Sequence, residues 1–440
     1  MFSTIVNVFK IPELRKKIGF TIFLVFIYRI GGHIPTPGID PKILAEFYMQ
    51  SQNNLLGMFD MFTGGAFKKA TIFALGIMPY ISASIIIQLF GTVFPYFNKL
   101  QREGAEGRKK LTQLTRYGTV LLSLIQAAGV SVFLQSITSP STGANAVIPS
   151  MIGIKFTIVT IISLVTGTVF IMWLGEQITN RGIGNGISLI IFIGIVASLP
   201  DAVIAEFQQL QAGTRHIFVE TILLAIILAM TAFIVLMHQA TRRIPIQTPK
   251  KVVGTKMYAG QNTVLPLRIN MAGVIPIIFA SSLMMMPSMI AGFFPNSRIM
   301  DELGNFFKPG NVVYSISFGL VIIFFTYFYT AIIFNPIDIA DNLKRSGGFI
   351  PGIRPGKKTA EFLDNVLSRI TLPGSVFLAF IAIVPFLLIG ALNISFFFGG
   401  TSVLIVVGVA LDTLQQLESQ LQMRNYDGFM KRGSLRGRRY

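Results

Sequence analysis

Long apolar stretches that are uncharged or nearly uncharged recur along this chain, and they constrain its fold more than any other feature. Ten of them have about the 17 to 25 residues that a helix needs to cross the hydrocarbon core of a bilayer. Backbone N–H and C=O groups cannot stay unpaired in hydrocarbon, so each stretch is predicted to be a helix. The fifth is the weakest, because Pro200 and Asp201 interrupt it. The predicted spans are 18–34, 71–90, 117–134, 152–174, 187–205, 217–237, 272–294, 312–334, 372–392 and 396–414.

Composition supports a membrane protein and argues against a soluble one. Only 13% of the 440 residues are charged and 52% are hydrophobic, whereas soluble domains carry about 25% charged residues. The chain contains no cysteine, which excludes disulfides, cysteine nucleophiles and cysteine metal ligands.

The distribution of basic residues predicts the orientation of the spans. The net charge is +18, and most of the 37 Lys and Arg residues fall in alternate connections. Because such connections stay on the cytoplasmic side, both termini are predicted to be cytoplasmic, and the charge needs no nucleic-acid function to explain it. The basic residues elsewhere are Arg29, Lys42, Lys68, Lys69, Lys155, Arg215, Arg298 and Lys308.

Two of the predicted cytoplasmic connections, 238–271 and 335–371, are longer and more basic than orientation requires. They are either docking surfaces for a large partner, such as a ribosome or a motor protein, or simply solvated loops. Five spans on each side of the chain's midpoint are typical of two halves related by inversion, predicted here as 1–205 and 206–440. No residue-level repeat supports that division.

A short apolar segment, 53–63, lies between the first two spans, and Gly64 and Gly65 follow it. It is too short to cross a membrane. One interpretation is a half-helix that blocks a cavity and swings on the glycines. The other is a helix that lies on the outer membrane surface.

Isoleucines occur at helical spacing in the second and fifth spans. Ile77 and Ile81 are four residues apart, as are Ile187 and Ile191, and Pro79 is predicted to break the backbone bonding between the first pair. Such residues either pack against neighbours and lipid or form an apolar constriction that excludes ions. Spacing alone does not decide between these uses.

Sequence patterns typical of ion-coupling, nucleotide-binding or catalytic sites are scarce. Few charges fall in the spans, among them Arg29, Glu220 and Asp412, so an ion-coupled transporter is poorly supported. No Walker lysine motif and no pattern of nucleophile and base is present in the sequence. The sequence therefore predicts no cofactor or metal site. It argues against a secondary transporter and a membrane enzyme, which stay as the alternatives to be tested.

Several motifs are more specific, and through them the chain closely resembles the bacterial SecY family, which also includes the α-subunits of the endoplasmic reticulum translocon. Span seven departs from the family pattern at Met284–Met286, where an aromatic residue is common at the last position. The matching stretches are 29–31, 34–35, 37–38, 74–88 (ALGIMPYISASIIIQ), 104–107, 174–188 (LGEQITNRGIGNGIS), 265–282, 335–336, 348–356 (GFIPGIRPG) and 399–402.

The resemblance implies an all-α polytopic membrane protein with ten transmembrane helices in two inverted five-helix halves around a central hourglass pore. It implies a channel in the bacterial inner membrane that passes unfolded polypeptide and opens sideways to lipid. The implied pore ring is Ile77, Ile81, Ile187, Ile191, Ile278 and Ile405, and the implied plug, 53–63, includes Leu55, Phe59 and Phe62 with Gly64 and Gly65 behind it. The implied lateral gate includes Pro79, Ser82, Pro276, Ser282 and Met286.

The resemblance also implies partners. These are two small membrane subunits, SecE and SecG, the motor ATPase SecA, the ribosome, signal peptides, nascent membrane proteins and anionic phospholipids. Arg354 resembles the family arginine needed for productive motor engagement. The predicted docking residues are Arg242, Arg243, Lys250, Lys251, Arg354 and Lys357.

Overall fold

A computed structural model describes residues 11–50, 60, 62–139, 143–213, 216–248, 251–253, 256–258, 262–292, 311–392 and 400–432. The chain divides into two compact units. Unit 1 comprises Met1–Gln208, Met285–Asn305 and Val409–Tyr440, and unit 2 comprises Gln209–Met284 and Phe306–Gly408. The predicted division into 1–205 and 206–440 stays a prediction.

Helices dominate both units. They are α1 Pro12–Gly31, α2 Pro41–Gln50, α3 Met78–Val93, α4 Pro95–Arg102, α5 Ala105–Ser136, α6 Ile154–Arg181, α7 Gly186–Gln211, α8 Ile217–Gln239, α9 Ile275–Gly292, α10 Val312–Ile333, α11 Pro336–Arg345, α12 Lys357–Leu392 and α13 Gly400–Arg432. The strands are β1 Thr241–Gln247, β2 Lys251–Val253, β3 Lys256–Tyr258 and β4 Asn262–Arg268.

Each of the ten predicted spans overlaps a helix in the described part of the chain. In the described part of the chain, seven helices are long and apolar enough to cross a membrane, or eight if α3 and α4, bent by 104°, count as one span. The first span lies on α1, which begins with charged residues, and the seventh on α9, whose apolar part is shorter. The fifth runs unbroken through Pro200, which α7 accommodates in its interior.

The helix of the second span begins later than predicted. The prediction that Pro79 breaks the backbone hydrogen bonding between Ile77 and Ile81 is wrong. Residues 71–77 form turns, and α3 starts at Met78 with Pro79 in its first turn. The N–H of Ile81 still donates to the carbonyl of Ile77, at 3.1 Å. Proline removes only a donor that has no partner in a helix's first turn, so it starts the helix without breaking it.

The irregular stretch before α3 satisfies its backbone within the protein. The N–H of Thr36 donates to the carbonyl of Ala70, and the N–H of Ile72 donates to that of Ile34. Non-helical backbone is tolerated at membrane depth when protein buries it, and the side chains of Phe73 and Leu75 are buried here. Pro276 likewise lies at the second position of α9, so it also opens its helix.

The basic connection 238–271 contains strands that the sequence analysis did not predict. Strands β1 and β4 pair antiparallel, with Arg242 opposite Leu267 and Gln247 opposite Asn262, and β2 pairs with β3. The connection 335–371 supplies α11 and the beginning of α12. Both connections belong to unit 2 and pack on a shared apolar cluster of Ile244, Leu267, Phe334, Ile350, Leu363, Val366, Leu367 and Ile370.

Candidate functional site

The turn 62–68 begins with the last two residues of the segment predicted to be a plug, 53–63, and hydrogen bonds close it on Asp60. The carbonyl of Asp60 accepts the N–H of Gly65 at 3.0 Å and the hydroxyl of Thr63 at 3.0 Å. Its Oδ1 accepts the N–H of Lys68 at 2.7 Å. Gly64 and Gly65 have φ of 68° and 84°, a left-handed conformation that favours glycine.

Helix α1 contacts this turn through two neighbouring side chains. The Nη1 of Arg29 donates to the carbonyl oxygen of Gly64 at 3.1 Å. The hydroxyl of Tyr28 donates to the carbonyl of Thr63 at 3.4 Å, and the ring of Tyr28 stacks on that of Phe73. The turn is therefore fixed from one side by the last turn of α1.

Helix α7 lies against the same turn at a glycine. A Cβ on Gly64 would lie 2.8 Å from the Cα of Gly194, and a Cβ on Gly194 would lie 3.0 Å from the carbonyl of Phe62. Gly194 follows Ile191 by three residues and Ile187 by seven, so the three share one helix face. The end of the predicted plug thus packs on the face of α7 that carries two predicted ring residues.

The predicted ring isoleucines lie in both units, four in unit 1 and two in unit 2. Ile187 is half-buried, and its Cγ1 lies 3.3 Å from where a Cβ on Gly175 would be. Whether the six form a ring stays a prediction. The five that are buried are Ile77, Ile81, Ile191, Ile278 and Ile405.

The predicted gate residues divide between α3 and α9. Ser82 on α3 and Ser282 on α9 are both buried. Pro79 and Pro276 each lie in the first turn of their helix. Met286 also lies on α9, but its side chain is outside the described residues, as are Leu55 and Phe59 of the predicted plug. Phe62 is described and is buried.

Four of the predicted docking residues lie on a small folded platform in unit 2, namely Arg242, Arg243, Arg354 and Lys357. Gln247 and Phe349 exchange two backbone hydrogen bonds of 2.9 Å, which join the β1–β4 hairpin to the loop 348–356. Ile350 anchors that loop in the apolar cluster. The described residues of the two long connections therefore pack together as one platform.

Exposed basic side chains lie on this platform. Arg242, Arg243, Arg354 and Lys357 are all exposed. The carbonyl of Arg354 accepts the hydroxyl of Thr359 at 2.9 Å, which fixes its backbone while the guanidinium stays in solvent. Lys250 and the side chain of Lys251 lie outside the described residues.

Two contacts of the turn 62–68 could not be predicted from the sequence. Arg29 is a rare charge in a span, but no sequence pattern indicates that Gly64 is its partner. Gly194 received no predicted role, although a small residue inside a span often marks close backbone approach.

In the described residues, seven long apolar helices, buried irregular backbone and a basic platform define a multi-pass α-helical membrane protein. A sequence model of the SecY family matches residues 71–414. The chain is 44% identical to the protein translocase subunit SecY of Escherichia coli K12 over 428 residues, which cover 97% of this chain and 96% of that protein.

Solved structures agree on the fold. One of them is a SecY structure, described as showing that the plug domain stabilizes the closed state of the translocation channel and maintains a membrane seal. It matches this chain with a TM-score of 0.65 and 19% identity, over 94% of this chain and 96% of that one. Sec61 in the canine ribosome–channel complex from the endoplasmic reticulum has a TM-score of 0.60, 19% identity and the same coverage.

The chain belongs to the SecY family of protein-translocase channel subunits. The predicted all-α fold with ten transmembrane helices is confirmed by these channel structures, and the predicted protein-conducting function by the relatives. The alternative of a secondary transporter is not supported.

Proposed function

We propose that this channel passes unfolded secretory polypeptides across the bacterial inner membrane and releases transmembrane segments sideways into lipid, with both termini in the cytoplasm. One observation carries the proposal: the turn 62–68, at the end of the predicted plug, packs on the face of α7 that bears Ile187 and Ile191. A blocking segment seated on the ring residues is the arrangement that a closed channel needs. The two halves, 1–205 and 206–440, would then each contribute to the pore.

Ile77, Ile81, Ile187, Ile191, Ile278 and Ile405 form the proposed ring. Apolar side chains offer a passing polypeptide no hydrogen bonds, so passage does not depend on its sequence. A narrow apolar neck also disfavours hydrated ions. The burial of five of these isoleucines supports a closed, dry constriction.

The proposed lateral gate uses Ser82 on α3 and Ser282 on α9. Pro79 and Pro276, at the starts of these two helices, and Met286, further along α9, complete it. A gate without charged residues has only weak contacts to break. An apolar signal helix gains about 0.8 kcal/mol for each CH₂ that leaves water, so a few residues bias such an equilibrium towards opening.

Partners supply the energy, because the chain is proposed to be a channel without enzymatic activity of its own. The platform with Arg242, Arg243, Lys250, Lys251, Arg354 and Lys357 is the proposed docking surface for a motor ATPase, SecA, and for the ribosome. A Sec61 neighbour in a ribosome–channel complex supports the latter. Two small membrane subunits, SecE and SecG, and anionic phospholipids complete the proposed assembly.

Reconstitution tests this function. Vesicles containing the full chain and its membrane partners, supplied with a motor ATPase and ATP, are expected to protect a secretory precursor from added protease. Vesicles without the chain are the control. Precursor that stays fully protease-sensitive in an otherwise active reconstitution would contradict the proposal.

A further inference from the structure

Arg29 is a charged residue within a predicted span, and no role proposed so far uses its side chain. A guanidinium inside a span is costly, so it is retained where it has a specific partner or function. Its side chain is half-buried, and its Nη1 donates to the carbonyl oxygen of Gly64 at 3.1 Å. The partner is a neutral main-chain group in the turn 62–68.

That carbonyl belongs to Gly64, which is the proposed hinge of the plug. The proposed plug swings at Gly64 and Gly65, and rotation there reorients the Gly64 carbonyl away from α1. Hydrogen bonds among Asp60, Thr63 and Lys68 stabilise the turn internally. Hydrogen bonds from Arg29 and Tyr28 connect it to α1. The Arg29 bond involves a full charge, so it is the stronger of the two bonds to α1.

We propose that Arg29 is a positioning residue for the closed channel: its hydrogen bond to Gly64 holds the base of the plug against α1 and α7. The inference rests on the proposed plug and adds a residue that controls it. Opening then requires this bond to break, so Arg29 sets how often the resting channel opens. Gly194 is the complementary surface, because its missing side chain lets the turn lie close to α7.

Resting ion conductance of the full chain, assembled with its membrane partners in planar bilayers, tests the proposal. Arg29→Met removes the charged donor and keeps an unbranched side chain. It is expected to raise resting conductance about tenfold, because loss of a charge-assisted hydrogen bond shifts a two-state equilibrium by about that factor. Arg29→Lys keeps a charged donor and is expected to restore most of the seal. Lys42→Met, an exposed charge on α2, is the control and should not leak.

The same substitution in a plug-deleted channel separates this inference from the plug assignment. In a channel lacking residues 53–59, Arg29→Met is expected to add no further conductance, because there is no plug to release. An added leak there, or a leak with Arg29→Lys equal to that of Arg29→Met, would assign Arg29 a general structural role and overturn the inference. A leak from the deletion but none from Arg29→Met would also overturn it, while leaving the plug in place. If the deletion itself causes no leak, the plug assignment fails and the inference with it.

Discussion

The guanidinium of Arg116 and the carboxylate of Glu176 form two hydrogen bonds, 2.8 Å from Nε and 2.6 Å from Nη2, that join α5 to α6. The Glu176 side chain is only 12% exposed, whereas that of Arg116 is 48% exposed. Bidentate geometry and a largely buried acceptor distinguish this pair from an ordinary surface ion pair. It is a specific contact between two neighbouring helices of unit 1.

Removing Arg116 is expected to destabilise the protein measurably. Arg116→Met leaves a mostly buried carboxylate without its partner, which costs about 1–3 kcal/mol of unfolding free energy. Denaturant unfolding of the detergent-solubilised chain measures the change. The matched control is Lys110→Met, which breaks an exposed pair with Glu106 on the same helix, of 3.7 Å, and should cost about 0.5 kcal/mol or less. Equal losses for the two variants would show that the Arg116 pair contributes no more than a surface pair.

Loss of a proposed ring residue is expected to make the resting channel leak. Ile191→Gly removes an apolar side chain from the constriction, and a charged residue at Ile77 lets water and ions enter it. Single-channel recordings in planar bilayers should show conductance without a translocating substrate. Ile162→Gly makes the same change at an exposed position on α6 and should stay sealed. Unchanged conductance with both ring variants would count against the ring.

Charge reversal at Arg354 is expected to reduce the amount of precursor secreted by the motor at least tenfold. The loop 348–356 is held by Gln247 and Ile350, so Arg354→Glu changes the exposed charge without removing the platform's apolar anchors. Secretion of a precursor and the amount of channel in the membrane are measured together, and the amount should stay normal. Lys155→Glu, an exposed basic residue in unit 1, is the control for charge reversal. Normal secretion by the Arg354 variant would remove the docking role.

Acidification is expected to stabilise the turn 62–68. Burial raises the pKa of the Asp60 carboxyl above its ordinary value of 3.8, although the Lys68 N–H and the Lys68 charge oppose this rise. A raised folded-state pKa means that the folded turn binds the proton more tightly than the unfolded chain does. Stability therefore increases as the pH falls through the raised pKa towards 3.8. Hydrogen-exchange protection of the Gly65 amide should rise over that range and become independent of pH in Asp60→Asn. Protection that falls on acidification would contradict the assignment.

The sequence predicted the spans well because their signal is local. Apolar length and basic connections depend on the bilayer, so ten helices follow from composition along the chain. Pro79 shows where this reasoning fails: a proline in an apolar stretch predicts a kink, but the turns that precede it are stabilised by bonds to residues 34 and 36, distant in sequence. Such bonds leave no periodic pattern.

Site residues were harder to predict for the same physical reason. The Arg29–Gly64 bond joins residues 35 apart, and the Gln247–Phe349 bridge joins two connections separated by two spans. The basic character of those connections was visible in the sequence, but the strands and the shared apolar cluster were not. Isoleucine spacing alone favoured ordinary packing over a constriction, and only family resemblance singled out a ring.

Contact between the proposed ring and a secretory polypeptide in transit is the measurement that tests the central claim most directly. A photo-crosslinker replaces Ile278 in the full channel, a precursor is stalled during translocation, and crosslinked precursor is quantified. The same crosslinker at Phe380, an exposed residue on α12 in the same unit, is the control. We expect strong crosslinking from position 278 and none from position 380. No crosslink from position 278 while a precursor is verifiably stalled would contradict the assignment of this chain's pore.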